Sequence, residues 1–102
     1  REREVAEMER HMKTPELLVG MGGDYFLVVA PPAARLTRPD ALKVKVFVVR
    51  QQQAVLLHKG TWHALPFPKD RDMVQFIVAF REGTAKKDLK ERQFKGREVV
   101  AF

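Results

Sequence analysis

Two short stretches of this sequence carry imidazole and carboxylate side chains at spacings that permit chemistry. The first contains Glu9, His11 and Glu16, and the second, HKGTWH, ends in His63. Neutral imidazoles and carboxylates bind borderline and hard divalent metals, and the same groups are common general acids and bases in enzymes. All four residues are therefore candidate metal ligands, and His63, Glu9 and His11 are candidate catalytic groups.

The four residues also have structural explanations that involve no chemistry. His63 follows the only tryptophan of the chain, so it can be a partly buried histidine held by a backbone carbonyl. His11 can lie at a strand end on the surface, and carboxylates such as Glu9 and Glu16 are common on solvated strands. The functional interpretation therefore requires a fold in which the two stretches meet.

Four residues beside these stretches are candidate substrate contacts: Lys59, Arg10, His58 and Trp62. Lys59 and Arg10 can bind a substrate carboxylate, and the guanidinium does so with two parallel hydrogen bonds. Alternation along a strand, however, turns Arg10 outward if the residues on either side of it face inward. We expect His58 at the rim of the site, and Trp62 either packs in the core or rim or forms a platform for the substrate.

The segments that must position these residues are predicted mainly as strands. Runs rich in β-branched and aromatic residues, or alternating between charged and apolar residues, are separated by turn clusters. The predicted strands cover residues 16–21, 24–30, 43–50, 54–58, 72–80 and 98–102. Short strands joined by turns predict an all-β fold, a jelly roll or partial β-barrel.

We expect one domain over residues 1–102. The first motif lies in residues 1–23, the central strands and second motif in 24–83, and a C-terminal turn or helix and strand in 84–102. The N-terminal segment contains good helix formers, although its alternation also suits a strand. After Thr84, predicted as an N-cap, residues 85–94 are predicted as one or two amphipathic helical turns.

Composition narrows the classes of function. The formal charge is +6, but basic residues are mixed with acidic ones and no zinc-finger, helix-turn-helix or aromatic-basic pattern is present, so we predict no nucleic-acid partner. No apolar run approaches the length of a membrane span, so we expect no membrane partner. Cysteine is absent, which excludes disulfides and thiolate ligands, and we expect a cytoplasmic protein.

The spacing of the two stretches resembles the two motifs of the cupin superfamily. Residues 58–63 match the second motif, P-x-G-x-x-H, except that His58 replaces the proline. Residues 9–23 match the first motif, H-x-H followed by glutamate and glycine, except that Glu9 replaces the first histidine. In cupins the histidine that ends the second motif points into the barrel as a metal ligand or catalytic group, which is the role that this resemblance implies for His63.

Longer segments are similar to the ureidoglycolate lyase family of cupins. The chain carries EMERH at residues 7–11, FLVVAPP at 26–32, PDALKVKVF at 39–47 and QQAVLLHKGTWHALPF at 52–67, in the order of the family. The resemblance implies cleavage of ureidoglycolate, or of a similar small hydroxy or ureido acid, to glyoxylate and urea. It implies a small-molecule carboxylate substrate, and the two imidazoles and two carboxylates suit a divalent metal (Mn, Fe, Ni or Zn) if the site holds a cofactor at all.

The chain departs from this family at several positions. Leu56 and Leu57 replace an Asn-Tyr pair, Ala64 replaces the second histidine of W-H-H-P, and Phe80 replaces an aspartate. These losses favour a second hypothesis, a non-catalytic cupin module that binds a small anion or metal, and a sugar- or amino-acid-modifying cupin is a third. The N-terminal strands of the family have no counterpart in this sequence, so we expect an open sheet edge that a second copy covers, which gives a homodimer.

Overall fold

The computed structural model of the protein describes residues 3–34, 43–94 and 100–102. These residues form short strands and one helical turn. The strands are β1 (Glu4–Val5), β2 (Glu7–Arg10), β3 (Glu16–Met21), β4 (Tyr25–Ala30), β5 (Lys45–Val49), β6 (Ala54–Leu57), β7 (Trp62–His63), β8 (Phe67–Pro68), β9 (Gln75–Ala79), β10 (Lys90–Gln93) and β11 (Val100–Ala101), with α1 (Thr84–Lys87) between β9 and β10. None of the helices described is long and apolar enough to cross a membrane.

The strands form antiparallel sheets. In the larger sheet the order is β10-β2-β7-β4-β5, and β8 also pairs with β4. The order in the second sheet is β6-β3-β9, and β1 pairs with β11. Within the described ranges the sheets do not close into a continuous barrel. The predicted all-β class is therefore confirmed, and the arrangement is consistent with a cupin-like jelly roll that forms a partial barrel.

Strand β4 is apolar on both faces because it separates two cores. Tyr25 and Leu27 belong to one core cluster, whereas Val28 and Ala30 belong to another. Alternate residues of a strand point to opposite faces, so the two clusters lie on the two sides of β4. The cluster with Tyr25 includes residues of β3, β5 and β6, so it fills the space between the two larger sheets.

Gly20 is required in β3 because the ring of Tyr25 lies directly against its backbone. A Cβ at this position would lie 2.5 Å from Cε1 and 2.8 Å from Cδ1 of Tyr25. The ring has no space to retreat, since Tyr25 is fully buried and packs edge-on against Phe76 with centroids 4.8 Å apart. Gly20 lies near the end of β3 that is farther from Glu16, so this contact packs the interior closely at that end.

Most of the strand predictions are confirmed in their central parts. The strands predicted at 43–50 and 72–80 are shorter than expected and form β5 and β9. The N-terminal segment forms β1 and β2, so its alternation and not its helix propensity determines the structure. The strand predicted at 98–102 is present as β11, although its first two residues lie outside the described residues.

The helix predicted over residues 85–94 is wrong beyond its first turn. Helix α1 ends after four residues, and Lys90–Gln93 forms β10 by antiparallel pairing with β2. Thr84 is also not the N-cap, because Gly83 occupies that position with φ +81. Short helices are marginal on their own, so pairing with an edge strand outweighs the local helix propensity.

Candidate functional site

Strands β2 and β7 place the two motifs side by side. Glu9 pairs with His63 across these antiparallel strands, and His11 follows directly after β2. The turn before β7 is fixed to the same place because the Gly60 N–H donates to the carbonyl of His11 at 2.7 Å. Gly60 has φ +80, a left-handed conformation that favours glycine, so this turn explains the glycine of the second motif. The two imidazole centroids consequently lie 5.3 Å apart.

His11 is buried and held in one orientation. Its Nδ1 lies 2.8 Å from the carbonyl oxygen of Asp88, and Nδ1 must donate because a carbonyl only accepts. In the neutral ring Nε2 is then an acceptor, and it lies 3.1 Å from Oε1 of Glu16. Glu16 begins β3 in the second sheet, so this contact joins the two sheets.

His63 has the same arrangement on β7. Its Nδ1 faces the carbonyl of Thr61 at 3.2 Å, which leaves Nε2 as the acceptor of the neutral ring. This nitrogen is buried, and the described residues offer it no hydrogen-bond partner. It lies 3.5 Å from Oε2 of Glu16 and 3.7 Å from Oε1 of Glu9. Both histidines therefore aim Nε2 at the carboxylate of Glu16, and His63 also faces Glu9.

With neutral imidazoles, the four side chains form a cluster of acceptors that needs a proton or a cation between them. One ligand atom each from Glu9, His11 and His63 lies within 4.8 Å of the others, near the roughly 4.2 Å that is twice a metal–nitrogen distance. The Nδ1–H bonds to carbonyls are also the usual outer contacts of metal-binding histidines. The positions of Glu9, His11 and His63 therefore fit a divalent cation, and the carboxylate of Glu16 contacts both imidazoles.

Asp88 supports the loop that carries His11. Its carboxylate accepts hydrogen bonds from the N–H groups of Met12 and Lys13, both at 2.8 Å. Burial raises the pKa of this carboxyl, but the two backbone hydrogen bonds, with nearby positive charge, outweigh burial and hold the pKa below its ordinary value. The sequence gives no sign of this role, because Asp88 is 77 positions from His11.

The cluster forms one wall of a cavity of about 330 Å³. Glu9 retains 28% of its side-chain exposure and Glu16 only 8%, so Glu9 is the carboxylate nearer to solvent. Glu9 and His63 also line a neighbouring cavity of about 390 Å³. The rest of the first cavity is lined by Leu18, Ala64, Leu65, Pro66, Phe76, Val78, Phe80, Ala85 and Leu89.

The predicted substrate contacts do not line this cavity. Arg10 lies on the opposite face of β2, with Cζ 4.4 Å from the centroid of the Trp62 ring, and its Nη1 donates to the carbonyl of Pro32 at 3.0 Å. Trp62 is buried in the core cluster that contains the second face of β4. His58 and Lys59 are exposed in the turn before β7. Substrate contact by these residues stays a prediction.

An all-β fold with two imidazoles and two carboxylates between its sheets is consistent with the cupin class. More specifically, the chain belongs to the ureidoglycolate lyase family, because the sequence model of that family matches residues 2–101. It is 29% identical over 82 residues to a ureidoglycolate lyase of Pseudomonas syringae pv. tomato, an alignment that covers 78% of this chain and 45% of the relative.

The ureidoglycolate lyases of Escherichia coli (strain K12 / DH10B) and Shigella boydii serotype 18 give similar alignments. Each is 29% identical over 80 residues, which covers 78% of this chain and 48% of the relative. The chain therefore spans somewhat less than half the length of these curated relatives. Ureidoglycolate lyase activity is thus a property of the relatives, and its assignment to this chain is a proposal.

Proposed function

We propose that this chain cleaves the C–N bond of ureidoglycolate, or of a similar small hydroxy or ureido acid, to give glyoxylate and urea. The observation that carries the proposal is the convergence of Glu9, His11, Glu16 and His63 in one cavity of a chain from the ureidoglycolate lyase family. The reaction needs a base and an acid on either side of one carbon, and this cluster contains both kinds of group.

His63 is suited to act as the base. Its Nδ1–H is held by the carbonyl of Thr61, so Nε2 presents a lone pair to the cavity. When Nε2 removes the hydroxyl proton, the O–H electron pair forms the carbonyl of glyoxylate and the C–N electrons leave with the urea nitrogen. That nitrogen takes up a proton from Glu9 or His11, whichever carries the proton shared within the cluster, and His63 returns the hydroxyl proton to that group after the products leave, so the protons balance.

Metal-assisted cleavage is the alternative form of this proposal, in which the same residues are ligands of a divalent metal (Mn, Fe, Ni or Zn) and Nε2 of His63 binds the ion instead of acting as the base. His11, His63, Glu9 and Glu16 would hold the ion, which would polarise the hydroxyl and carboxylate oxygens of the substrate. Asp88 is a positioning residue in this scheme, since its carbonyl fixes the His11 ring and its carboxylate fixes the following loop.

Release of glyoxylate from ureidoglycolate tests the proposed activity. We expect His63→Ala to lower the turnover rate by at least roughly a hundredfold, the lower range for loss of general acid–base catalysis. Glu9→Gln and Glu16→Gln should lower it as well, whereas Glu82→Gln is the matched control because this exposed carboxylate does not line the cavity. Turnover by His63→Ala equal to that of the parent chain would show that the catalytic assignment is wrong.

A non-catalytic module that binds a small anion or metal is the second candidate. It is favoured by Ala64 and Phe80, which line the cavity at positions where the family resemblance implies polar side chains. Stoichiometric metal without glyoxylate release would select this candidate over the lyase.

Self-association and location complete the proposal. Strands β5, β6 and β9 are edge strands of the sheets in the described part of the chain. The side chains of Val48, Leu56 and Ile77 on these strands are about half exposed. We propose a homodimer that covers one such edge, in the cytoplasm, without nucleic-acid or membrane partners. Light scattering that finds only monomer at all concentrations would exclude the dimer.

A further inference from the structure

The cavity is divided sharply between a polar wall and an apolar wall. On the apolar side, Phe76 and Val78 occupy alternate positions of β9, and Phe80 follows at the next alternate position. Alternate strand residues share a face, so these three side chains form a continuous apolar surface toward the cavity. Leu18 lies opposite Val78 on the neighbouring strand and extends it.

The described lining offers a ligand few polar contacts away from the cluster. Apart from Glu9, His11, Glu16 and His63, every lining side chain in the described ranges is apolar, with no lysine, arginine, hydroxyl or amide among them. The nearby guanidinium of Arg10 is directed to Trp62 on the other face of β2. Against these described side chains, the part of a ligand that lies beyond the cluster is better accommodated when it is apolar, since a buried polar group without a hydrogen bond is costly.

Phe80 brings this apolar surface to the reacting groups themselves. Its ring lies 5.6 Å from the His11 ring, centroid to centroid, at an interplanar angle of 59°. If the polar head of a ligand is held beside His11, a substituent only one or two bonds away from that head would contact the Phe80 ring. Val78 and Phe80 are partly exposed, so the surface is accessible from the cavity mouth.

From these contacts we infer that the substrate has two parts, an oxygen-rich head of the α-hydroxy acid type and an apolar substituent on the same carbon. The head meets the cluster of imidazoles and carboxylates, and the substituent packs on Phe76, Val78 and Phe80. This inference rests on the proposed function and specifies its substrate class. Ureidoglycolate carries a hydrogen in place of this substituent, so among the small hydroxy and ureido acids of the proposed function those that carry a phenyl or branched alkyl group should bind more tightly.

Calorimetric titration of the manganese-loaded chain tests this inference without a turnover assay. Glycolate and mandelate share the α-hydroxy acid head, and mandelate adds a phenyl ring. We expect mandelate to bind at least roughly tenfold more tightly, since each buried methylene-sized group contributes about fourfold in affinity. Titration with manganese alone, in the same calorimeter, first shows whether the cluster that receives the polar head binds the ion.

Substitutions on one strand provide the control. Val78→Thr keeps the shape of the side chain and replaces one methyl group by a hydroxyl on the cavity face, so it should lower mandelate affinity severalfold and leave glycolate affinity unchanged. Ile77→Thr changes the neighbouring residue of β9, which pairs with Val19 on the outer face, and should change neither affinity. Phe80→Ala should reduce the preference for mandelate further while manganese is still bound.

The outcomes separate the two proposals. Preference for mandelate that Val78→Thr weakens and Ile77→Thr does not would support the apolar subsite. Equal affinities, or tighter binding of glycolate, in a chain that binds manganese would overturn the subsite and leave the proposed function intact. A chain that takes up no manganese and neither acid would overturn the proposed function, and the subsite with it.

Discussion

Replacement of Glu16 by glutamine should stabilise the metal-free protein and weaken its response to metal. Oε1 of Glu16 lies 3.1 Å from Nε2 of His11, and these two atoms are both acceptors when the imidazole is neutral, because Nδ1 carries the proton. The amide of Glu16→Gln can donate to this nitrogen instead. One net hydrogen bond contributes about 1 kcal/mol, which corresponds to a rise of roughly 4–8 °C in the Tm of a domain of this size.

The bound ion should reverse this order. A ligand at a hundred times its Kd stabilises the folded state by about 2.7 kcal/mol, which is roughly 10–20 °C in Tm. The parent chain should show this increase, whereas Glu16→Gln should show less because a neutral amide replaces an anionic ligand. The variant is therefore the more stable protein in chelator, and it becomes the less stable one in metal when its Kd is raised more than about fivefold, because this removes more than the roughly 1 kcal/mol that it gains.

Thermal unfolding followed by circular dichroism, in chelator and then in manganese, measures both quantities. Glu82→Gln is again the matched control and should follow the parent chain in both buffers. If Glu16→Gln is less stable than the parent in chelator, or if its increase in Tm with manganese equals that of the parent, then Glu16 does not face an unpaired acceptor at a cation site.

The remaining predictions concern the packing around the site. Tyr25→Phe should stabilise the protein by about 1 kcal/mol, because the Tyr25 hydroxyl is buried without a partner among the described residues. Burial also raises the pKa of Tyr25 above its ordinary value of 10.0. The folded state thus holds the Tyr25 proton more tightly than the unfolded state. The free energy of unfolding of the parent chain should therefore fall as the pH rises above 10 toward the folded-state pKa. In Tyr25→Phe, unfolding measured over the same alkaline range should not show this fall in stability. Gly20→Ala should cost about 1–3 kcal/mol in urea unfolding, because its Cβ would overlap the Tyr25 ring; an unchanged midpoint would contradict this. Arg10→Ala should lower stability by about 0.5–1 kcal/mol through loss of its contact with Trp62, and weaker manganese binding in this variant would show that Arg10 acts at the site.

The sequence predicts the class of fold and the four clustered residues because both depend on local pattern. Period-two alternation marks the strands, and the spacing of Glu9, His11 and Glu16 relative to the glycine turn before His63 matches two known motifs. The register of β2 and β7 then brings the two motifs together, because it pairs Glu9 with His63.

Features that depend on long-range packing are not predictable in this way. Lys90–Gln93 forms a strand only because β2 offers an edge, and no local pattern records that edge. The support that Asp88 gives to His11 joins distant parts of the chain in the same manner. The direction of Arg10 follows from strand alternation, which the sequence does indicate, whereas the burial of Trp62 depends on residues packed behind β7.

Metal analysis of the chain purified without chelator tests the site most directly. Inductively coupled plasma mass spectrometry should find about one divalent ion per chain, because structural and catalytic sites of this donor type bind metal in the folded state. His11→Ala and His63→Ala should lose the ion, and Glu82→Gln should keep it. Metal-free parent protein that also takes up no manganese, iron, nickel or zinc on dialysis would contradict a cation site formed by Glu9, His11, Glu16 and His63.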